Sequence, residues 1–262
     1  MSQSSLKLTE KDGILEVVVD RPKANAIDNA TSREMGLAFQ RFRDDPSLRV
    51  AIVTGGGEKF FSAGWDLKDA ASGAAEYEDD YGVGGFGGLQ ELPDLNKPVI
   101  CAVNGMCVGG GFEIALACDM LIAADHARFA LPEINIGVLA DAATIKLPKR
   151  IPYHVAMDML LTGRWMAAEE AKHWGLVNEV VPGERLRERA WELARLLADG
   201  PPLVFACIKE VVRETANMET QDAFDLLRSH DLPTYLAMLE SEDSREGPRA
   251  FAEKRKPEWK GR

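Results

Sequence analysis

Two glutamates stand in apolar stretches of the sequence, where carboxylates are uncommon. Glu113 follows three glycines in the segment NGMCVGGGFEIALACD, and Glu133 follows a proline in FALPEINIG. Two carboxyl groups whose pKa values differ because of their surroundings can deliver and withdraw protons at one carbon centre. The pair is therefore a candidate acid–base couple. For either glutamate taken alone, an ion pair with a nearby cation is the more common explanation.

The glycines Gly109 to Gly111 suggest how a negative charge could be stabilised beside these carboxyl groups. The first N–H groups of a helix have no acceptor within it and point outward at the positive end of its dipole. Glycines there let a ligand approach the backbone closely, so the turn could hold a phosphate or a thioester oxygen that becomes negative during reaction. The spacing matches no phosphate-binding motif. Tight packing of a helix on a strand is the alternative explanation of the glycines.

A second turn could supply another N–H donor to the same oxygen. In KFFSAGWDLKD a strand-like stretch ends at Ala63-Gly64-Trp65. One backbone donor stabilises an oxyanion weakly, whereas two converging donors form an oxyanion hole.

Short apolar stretches separated by helical patterns must position these residues. The predicted strands are 14–20, 49–57, 97–103 and 119–125, and they indicate a mainly parallel sheet covered on both faces. A helix is expected after Asn29 or Ser32 as its cap, and the Gly- and acid-rich stretch 70–88 is expected to be a surface loop. We predict a β/α core over residues 1–195 and a helical C-terminal element over 196–262.

The composition narrows the possible functions. The chain has 262 residues, 46% of them hydrophobic, and a formal net charge of -11, which disfavours nucleic acid and anionic membranes as partners. Its four cysteines show no C-x-x-C spacing and its four histidines are scattered, so we expect no disulfides and no metal site. The first residues do not resemble a signal peptide, and a cytoplasmic location is expected.

Taken together, these segments resemble the enoyl-CoA hydratase/isomerase (crotonase) superfamily. The order and spacing of RPKANAID, FSAGWDL, NGMCVGGGFEIALACD, FALPEINIG, LLTGRWMAAEEAKHWGLVNEVV and AFAEKRK carry the resemblance, which covers nearly the whole chain. It implies an α/β fold with a crotonase-like β-β-α spiral core and a C-terminal helical trimerisation element. The expected assembly is a homotrimer or a dimer of trimers. No cofactor is implied beyond the coenzyme A that is part of an acyl-CoA thioester substrate.

The resemblance also implies roles for individual residues. Glu113 and Glu133 match the catalytic glutamates of the hydratases, and the N–H groups of Trp65 and Gly110 match the oxyanion hole. The residues implied to bind CoA are Lys23, Ala24, Ala63, Asp66, Leu67, Phe251 and Lys254, the last two from a neighbouring subunit. The acyl pocket is expected to include Tyr81, Phe86 and Asp141.

Within the superfamily, the sequence most resembles members that interconvert L-carnitinyl-CoA and crotonobetainyl-CoA. DRPKANAID, the Trp in SAGWDLK, the GGFGGL loop and the C-terminal sequence carry this finer resemblance. A general short-chain enoyl-CoA hydratase of fatty-acid metabolism is the alternative. The acidic net charge disfavours an RNA-binding relative. The presence of both glutamates disfavours a structural trimer with an inactive site.

A trimethylammonium group forms no conventional hydrogen bond and is held by aromatic faces and negative charge. Trp65, Tyr77, Tyr81 and Phe86, with the acidic residues of the 70–88 loop, are candidates for that role, and a solvated acidic loop is the alternative.

The sequence departs from the hydratase pattern after FALPEINIG. Hydratases usually have a proline and then a glycine pair there, whereas this chain has Ala140, Asp141, Ala142 and Ala143. Loss of these glycines could narrow the acyl pocket or shift Glu133. Asp141 falls where some relatives carry a nucleophilic aspartate, but we interpret it as a pocket residue because those relatives lack a glutamate at position 133.

Overall fold

The computed structural model describes residues 4–68 and 79–262. Its strands are β1 (Leu6–Lys11), β2 (Ile14–Val19), β3 (Val50–Gly55), β4 (Phe60–Ser62), β5 (Val99–Val103), β6 (Met106–Val108), β7 (Met120–Ala124), β8 (Arg128–Ala130), β9 (Met166–Ala167) and β10 (Glu179–Val181). They form one sheet in the order β1-β2-β3-β5-β7-β10 and a second in the order β4-β6-β8-β9. Pairing is parallel except at β1–β2 and β8–β9.

The predicted mainly parallel sheet is confirmed. The four apolar stretches form β2, β3, β5 and β7, which lie in the larger sheet and are almost entirely buried. Burial on both faces explains why these strands are mostly apolar and do not alternate with polar residues. The exceptions are Thr54 in β3 and the buried Glu16 in β2, which is paired with Arg187.

The helices are α1 (Asn29–Asp44), α2 (Gly110–Ala117), α3 (Asp141–Lys146), α4 (Tyr153–Thr162), α5 (Ala168–His173), α6 (Leu186–Ala198), α7 (Pro202–Thr215), α8 (Thr220–Ser229), α9 (Pro233–Glu240) and α10 (Asp243–Glu253). The predicted cap of α1 is wrong. Asp28 caps this helix, because its backbone is extended and its carboxylate accepts the N–H of Thr31 at 2.7 Å. Asn29 is therefore already the first helical residue.

Helix α2 is buried along almost its whole length and contacts the smaller sheet through β4 and β6. The rings of Phe112 and Phe129 pack with their centroids 5.2 Å apart, which holds α2 against β8. A short helix surrounded by packed side chains has little freedom to move. It therefore fixes the position of Glu113 in its first turn.

The C-terminal part of the chain is helical, as predicted. Helix α6 packs on β3, β5 and β7 of the larger sheet, whereas α7 contacts α9, and α9 contacts α10. The division at residue 195 stays a prediction. In the described ranges, no helix has both the length and the apolar character needed to cross a membrane.

Candidate active site

The turn after β4 is held by the segment that follows β2. The N–H of Ile27 donates to the carbonyl of Gly64 at 2.8 Å, and the N–H of Asp66 donates to the carbonyl of Ile27 at 3.1 Å. The N–H of Ala63 donates to the carbonyl of Ala24 at 3.0 Å. These bonds on both sides of Trp65 fix the backbone where the oxyanion-hole N–H is expected.

Two polar residues reinforce this arrangement, and sequence analysis assigned neither a role. Arg21 forms ion pairs with Asp66 at 2.6 Å and with Asp28 at 3.0 Å. The buried side-chain amide of Asn25 donates to the carbonyls of Gly56, Phe60 and Phe61 at 2.9 to 3.2 Å. Both residues belong to RPKANAID, and the available signal was an asparagine in the turn that follows an apolar strand. Their contacts identify them as positioning residues for the turn.

The two glycine-containing turns meet at one point. A Cβ atom on Gly64 would lie only 2.6 Å from the backbone nitrogen of Gly110. Gly64 also has a φ of +78°, in the left-handed region that favours glycine. Gly110 begins α2, so its N–H has no acceptor within the helix. Trp65 and Gly110 line the same cavity, as two donors to one oxygen would have to.

Each glycine of the run is also required by packing. A Cβ on Gly109 would lie 2.7 Å from the Oε1 atom of Glu133, and one on Gly111 would lie 2.5 Å from the carbonyl oxygen of Ser62. A Cβ on Gly110 would overlap the ring of Phe86. The two explanations of the glycines are therefore compatible, since close packing brings the backbone to the edge of the cavity.

Glu113 is held in place by a backbone donor and is largely dehydrated. Its side chain is buried, and its Oε1 atom accepts the N–H of Ala143 at 2.9 Å. Burial raises the pKa of Glu113 to about 7, and the negative charges of Asp141 and Glu133 also raise it. A carboxyl group with this pKa can both give and accept a proton near neutral pH.

Glu133 lies in a short helical turn, residues Pro132–Ile136, that follows β8. Its Oε2 atom is buried and has no hydrogen-bond partner within residues 4–68 and 79–262. Burial raises the pKa of Glu133, with a further contribution from the charge of Asp141. A buried oxygen without a partner is costly in a folded protein, and a substrate proton would satisfy it.

Both glutamates and both turns line one cavity. The described residues around it are Ala63, Trp65, Leu67, Tyr81, Phe86, Gly109, Gly110, Glu113, Pro132, Glu133, Ile136, Val138, Leu139 and Asp141. The rings of Tyr81 and Phe86 meet edge to face with centroids 5.3 Å apart. The structure thus brings together the predicted catalytic, oxyanion-hole and acyl-pocket residues. Tyr77 lies outside the described residues.

The alanines that replace the expected glycines have a visible consequence. Asp141 opens α3 and Ala143 lies in its first turn, where its N–H reaches Glu113. Helical backbone thus supplies the donor that orients Glu113. Alanine favours a helix more than glycine does, so Ala142 and Ala143 suit the helical backbone that supplies this donor.

The residues expected to bind CoA fall into two groups. The loop that carries Lys23 and Ala24 is joined by the hydrogen bonds described above to the loop that carries Ala63, Asp66 and Leu67. Phe251 and Lys254 lie at the end of α10 and do not line the cavity of their own chain. Phe251 is 87% exposed. A contribution from a neighbouring subunit stays a prediction for these two residues.

Among the described residues, no group of three or more His, Cys, Asp or Glu side chains is arranged to hold a metal ion. The four cysteines are buried and unpaired.

Comparison with known proteins agrees with this arrangement. The family model for enoyl-CoA hydratase/isomerase matches residues 9–262. The chain is 56% identical to carnitinyl-CoA dehydratase of Proteus mirabilis, with 100% of both chains covered. It is 58% identical to carnitinyl-CoA dehydratase of Salmonella arizonae, with 98% of both covered.

Solved structures show the same fold. An enoyl-CoA hydratase from Mycobacterium tuberculosis superposes with a TM-score of 0.89 at 35% identity, covering 99% of this chain and 100% of the other. One from Bacillus anthracis superposes with a TM-score of 0.88 at 31% identity, covering 98% and 100%. The predicted crotonase-like α/β fold is confirmed, and the chain belongs to the enoyl-CoA hydratase/isomerase family.

Proposed function

We propose that this protein is a hydro-lyase that interconverts L-carnitinyl-CoA and crotonobetainyl-CoA. Water is added to, or removed from, the Cα–Cβ bond of the acyl-CoA thioester. The carnitinyl-CoA dehydratases that match over the full chain support this substrate. The observation that carries the reaction type is the single cavity shared by Glu113, Glu133 and the two turns.

The turns would stabilise the intermediate. Removing or adding a proton at Cα passes through an enolate whose charge lies on the thioester oxygen. We assign the N–H groups of Trp65 and Gly110 as the donors to that oxygen. Each well-placed backbone donor lowers such a barrier by about 3 kcal/mol.

The glutamates would divide the proton transfers. Glu133 exchanges the proton at Cα, and Glu113 handles the water or the leaving hydroxyl at Cβ. Hydration requires ionised Glu113 and protonated Glu133, whereas dehydration requires the reverse. Each direction therefore needs the pair to hold one proton in total. Burial raises the pKa of Glu113 to about 7, so this carboxyl group can gain or lose that proton near neutral pH.

A general short-chain enoyl-CoA hydratase is the second candidate. The enoyl-CoA hydratases with superposable structures favour it, and it would use the same glutamates and oxyanion donors. The two candidates differ only in how they treat the distal end of the acyl group.

One hydration assay separates these candidates. We expect the purified protein to hydrate crotonobetainyl-CoA with a higher kcat/KM than crotonyl-CoA. Equal or faster turnover of crotonyl-CoA would favour the general hydratase, and failure to hydrate either thioester would refute both.

We further propose that Lys23, Ala24, Ala63, Asp66 and Leu67 contact the CoA moiety. Phe251 and Lys254 would reach it from the next subunit of a homotrimer or a dimer of trimers. The exposed position of Phe251 supports this arrangement. The reduced, buried cysteines fit the predicted cytoplasmic location.

A further inference from the structure

We propose that the carboxylate of Asp141 is the counter-ion of the substrate's quaternary ammonium group and makes the pocket select a cationic acyl tail. This inference rests on the proposed hydration of crotonobetainyl-CoA and assigns its specificity to one side chain.

The position of Asp141 is the first argument. It is the first residue of α3, lines the same cavity as both glutamates and is exposed toward solvent. One of its oxygens accepts the N–H of Ala142 at 2.7 Å, which orients the carboxylate. Its negative charge acts on Glu113, Glu133 and Tyr81 alike. Asp141 therefore lines the cavity within electrostatic range of both glutamates and of Tyr81.

The charge balance of the cavity is the second argument. Its described lining contains the carboxyl groups of Glu113, Glu133 and Asp141 and no Lys or Arg side chain. The nearby Lys146 does not line the cavity and donates to the side chain and carbonyl of Gln90, although its positive charge also slightly lowers the pKa of Glu113. Two carboxyl groups suffice for the proton transfers. When the acyl tail is neutral, the charge of the third carboxylate only repels the charges of the other two. A cationic tail would offset that repulsion.

The aromatic residues supply the rest of the recognition. A quaternary ammonium group neither donates nor accepts a conventional hydrogen bond, and aromatic rings attract it through their negative faces. Trp65, Tyr81 and Phe86 line the cavity together with Asp141. Aromatic rings and a carboxylate in one pocket are the two features that bind such a cation.

The acidic residues of the neighbouring loop do not supply this charge within the described structure. Asp80 forms an ion pair with Arg33 at 3.5 Å and is 79% exposed. Asp79 accepts a hydrogen bond from Asn29. Both partners belong to α1, and neither aspartate lines the cavity.

The test compares two acyl-CoA substrates of the same shape. Crotonobetainyl-CoA and 5,5-dimethylhex-2-enoyl-CoA differ in having a quaternary nitrogen or a quaternary carbon, so only the charge changes. We expect Asp141→Asn to lower the ratio of their kcat/KM values by about tenfold or more. Asp141→Glu retains the charge and should keep the ratio within about threefold of the original. Asp80→Asn, which removes an equal charge outside the cavity, should leave the ratio unchanged.

The outcomes distinguish this inference from the proposed function. If the unaltered protein hydrates both substrates equally well, the hydratase function stands and the counter-ion role is refuted. If it prefers the cation and Asp141→Asn keeps that preference, selection lies elsewhere and the inference is also refuted. If it hydrates neither substrate, the proposed function fails, and the inference fails with it.

Discussion

At the scale of single residues, the two glutamates differ in their hydrogen bonding because their surroundings differ. Glu113 is on the rigid helix α2 and accepts the N–H of Ala143, whereas Glu133 keeps one buried oxygen without a partner in the described structure. Burial raises both pKa values, and the positive charge of Lys146 offsets only a small part of the increase at Glu113. The ion-pair alternative considered for each glutamate is not what the geometry shows.

The raised pKa of Glu113 predicts a pH-dependent effect on stability. The folded protein binds this proton more tightly than the unfolded chain, because the pKa rises from 4.5 to about 7. Below pH 4.5 Glu113 is protonated in both states and does not affect the free energy of unfolding. Above pH 7 its ionisation in the folded protein lowers the free energy of unfolding by up to about 3 kcal/mol. Glu113→Gln should raise the free energy of unfolding by that amount at pH 8.5 and barely change it at pH 4.5, as measured by urea denaturation.

Glu188→Gln is the matched control for that experiment. Glu188 is 57% exposed and paired with Arg185 on the surface. Its removal should change the free energy of unfolding by less than about 1 kcal/mol at either pH. An equal effect of Glu113→Gln at both pH values would contradict the raised pKa.

The proton at Cα tests the assignment of Glu133. A saturated substrate, γ-trimethylammoniobutyryl-CoA, has no hydroxyl to lose, so its exchange of α-protons with D₂O requires only the α-base and the oxyanion hole. Glu133→Gln should slow this exchange at least about 100-fold. Glu113→Gln should retain the exchange while losing hydration activity. Undiminished exchange in Glu133→Gln would refute the assignment.

At the scale of elements, the site depends on two turns that come from different chain segments and follow neighbouring strands of the smaller sheet. The turn at Gly64 follows β4, the turn at Gly109 follows β6, and the segment after β2 holds the first of them through Asn25 and Arg21. Parallel pairing of β4 with β6 places both turns at the same edge of the smaller sheet. Sheet topology therefore brings the two turns together, as the proposed oxyanion hole requires.

Gly64→Ala tests this convergence. A methyl group there would lie 2.6 Å from the nitrogen of Gly110 and 2.8 Å from the carbonyl oxygen of Val108, so the turns must separate. We expect kcat to fall about 100-fold, as when one oxyanion donor is lost. The control is Gly57→Ala, which has a φ of +75° but nothing within 4 Å of its added methyl group. Because both positions have a positive φ, alanine strains the backbone in both variants, but Gly57→Ala should retain kcat. Similar losses of kcat in both variants would show that backbone strain alone is responsible.

At the scale of the whole molecule, the C-terminal helices leave apolar side chains uncovered. Ile208 and Val212 are 53% and 63% exposed and lie one turn apart on α7. Phe224 on α8 and Leu239 on α9 are also exposed. Apolar surface of this kind on several neighbouring helices is typical of a subunit interface.

Val212→Glu tests the predicted assembly. A buried carboxylate without a partner would destabilise the interface, so light scattering should show the mass falling from a trimer or hexamer to a single chain. Leu37→Glu changes a residue on α1 that is also 63% exposed and should leave the mass unchanged. An unaltered protein that is already monomeric, or a Val212→Glu variant of unchanged mass, would contradict a trimer built by these helices.

The sequence by itself determined the family, the parallel sheet and the candidate chemistry. Apolar strands, glycine-rich turns and carboxyl groups in apolar surroundings are local features, and local composition is enough to predict them. The cap of α1 was placed wrongly because Asp28 and Asn29 are both good capping residues, and only the backbone conformation distinguishes them.

Only the tertiary structure decided which distant groups meet. That Ala143 orients Glu113, that Asn25 and Arg21 hold the Trp65 turn, and that Asp141 shares a cavity with both glutamates all depend on contacts between segments far apart in the chain. The orientation of a side chain and the loss of water around it are set by packing from several elements at once. The sequence therefore predicts which groups are available for catalysis, and the fold decides their separation and their pKa values.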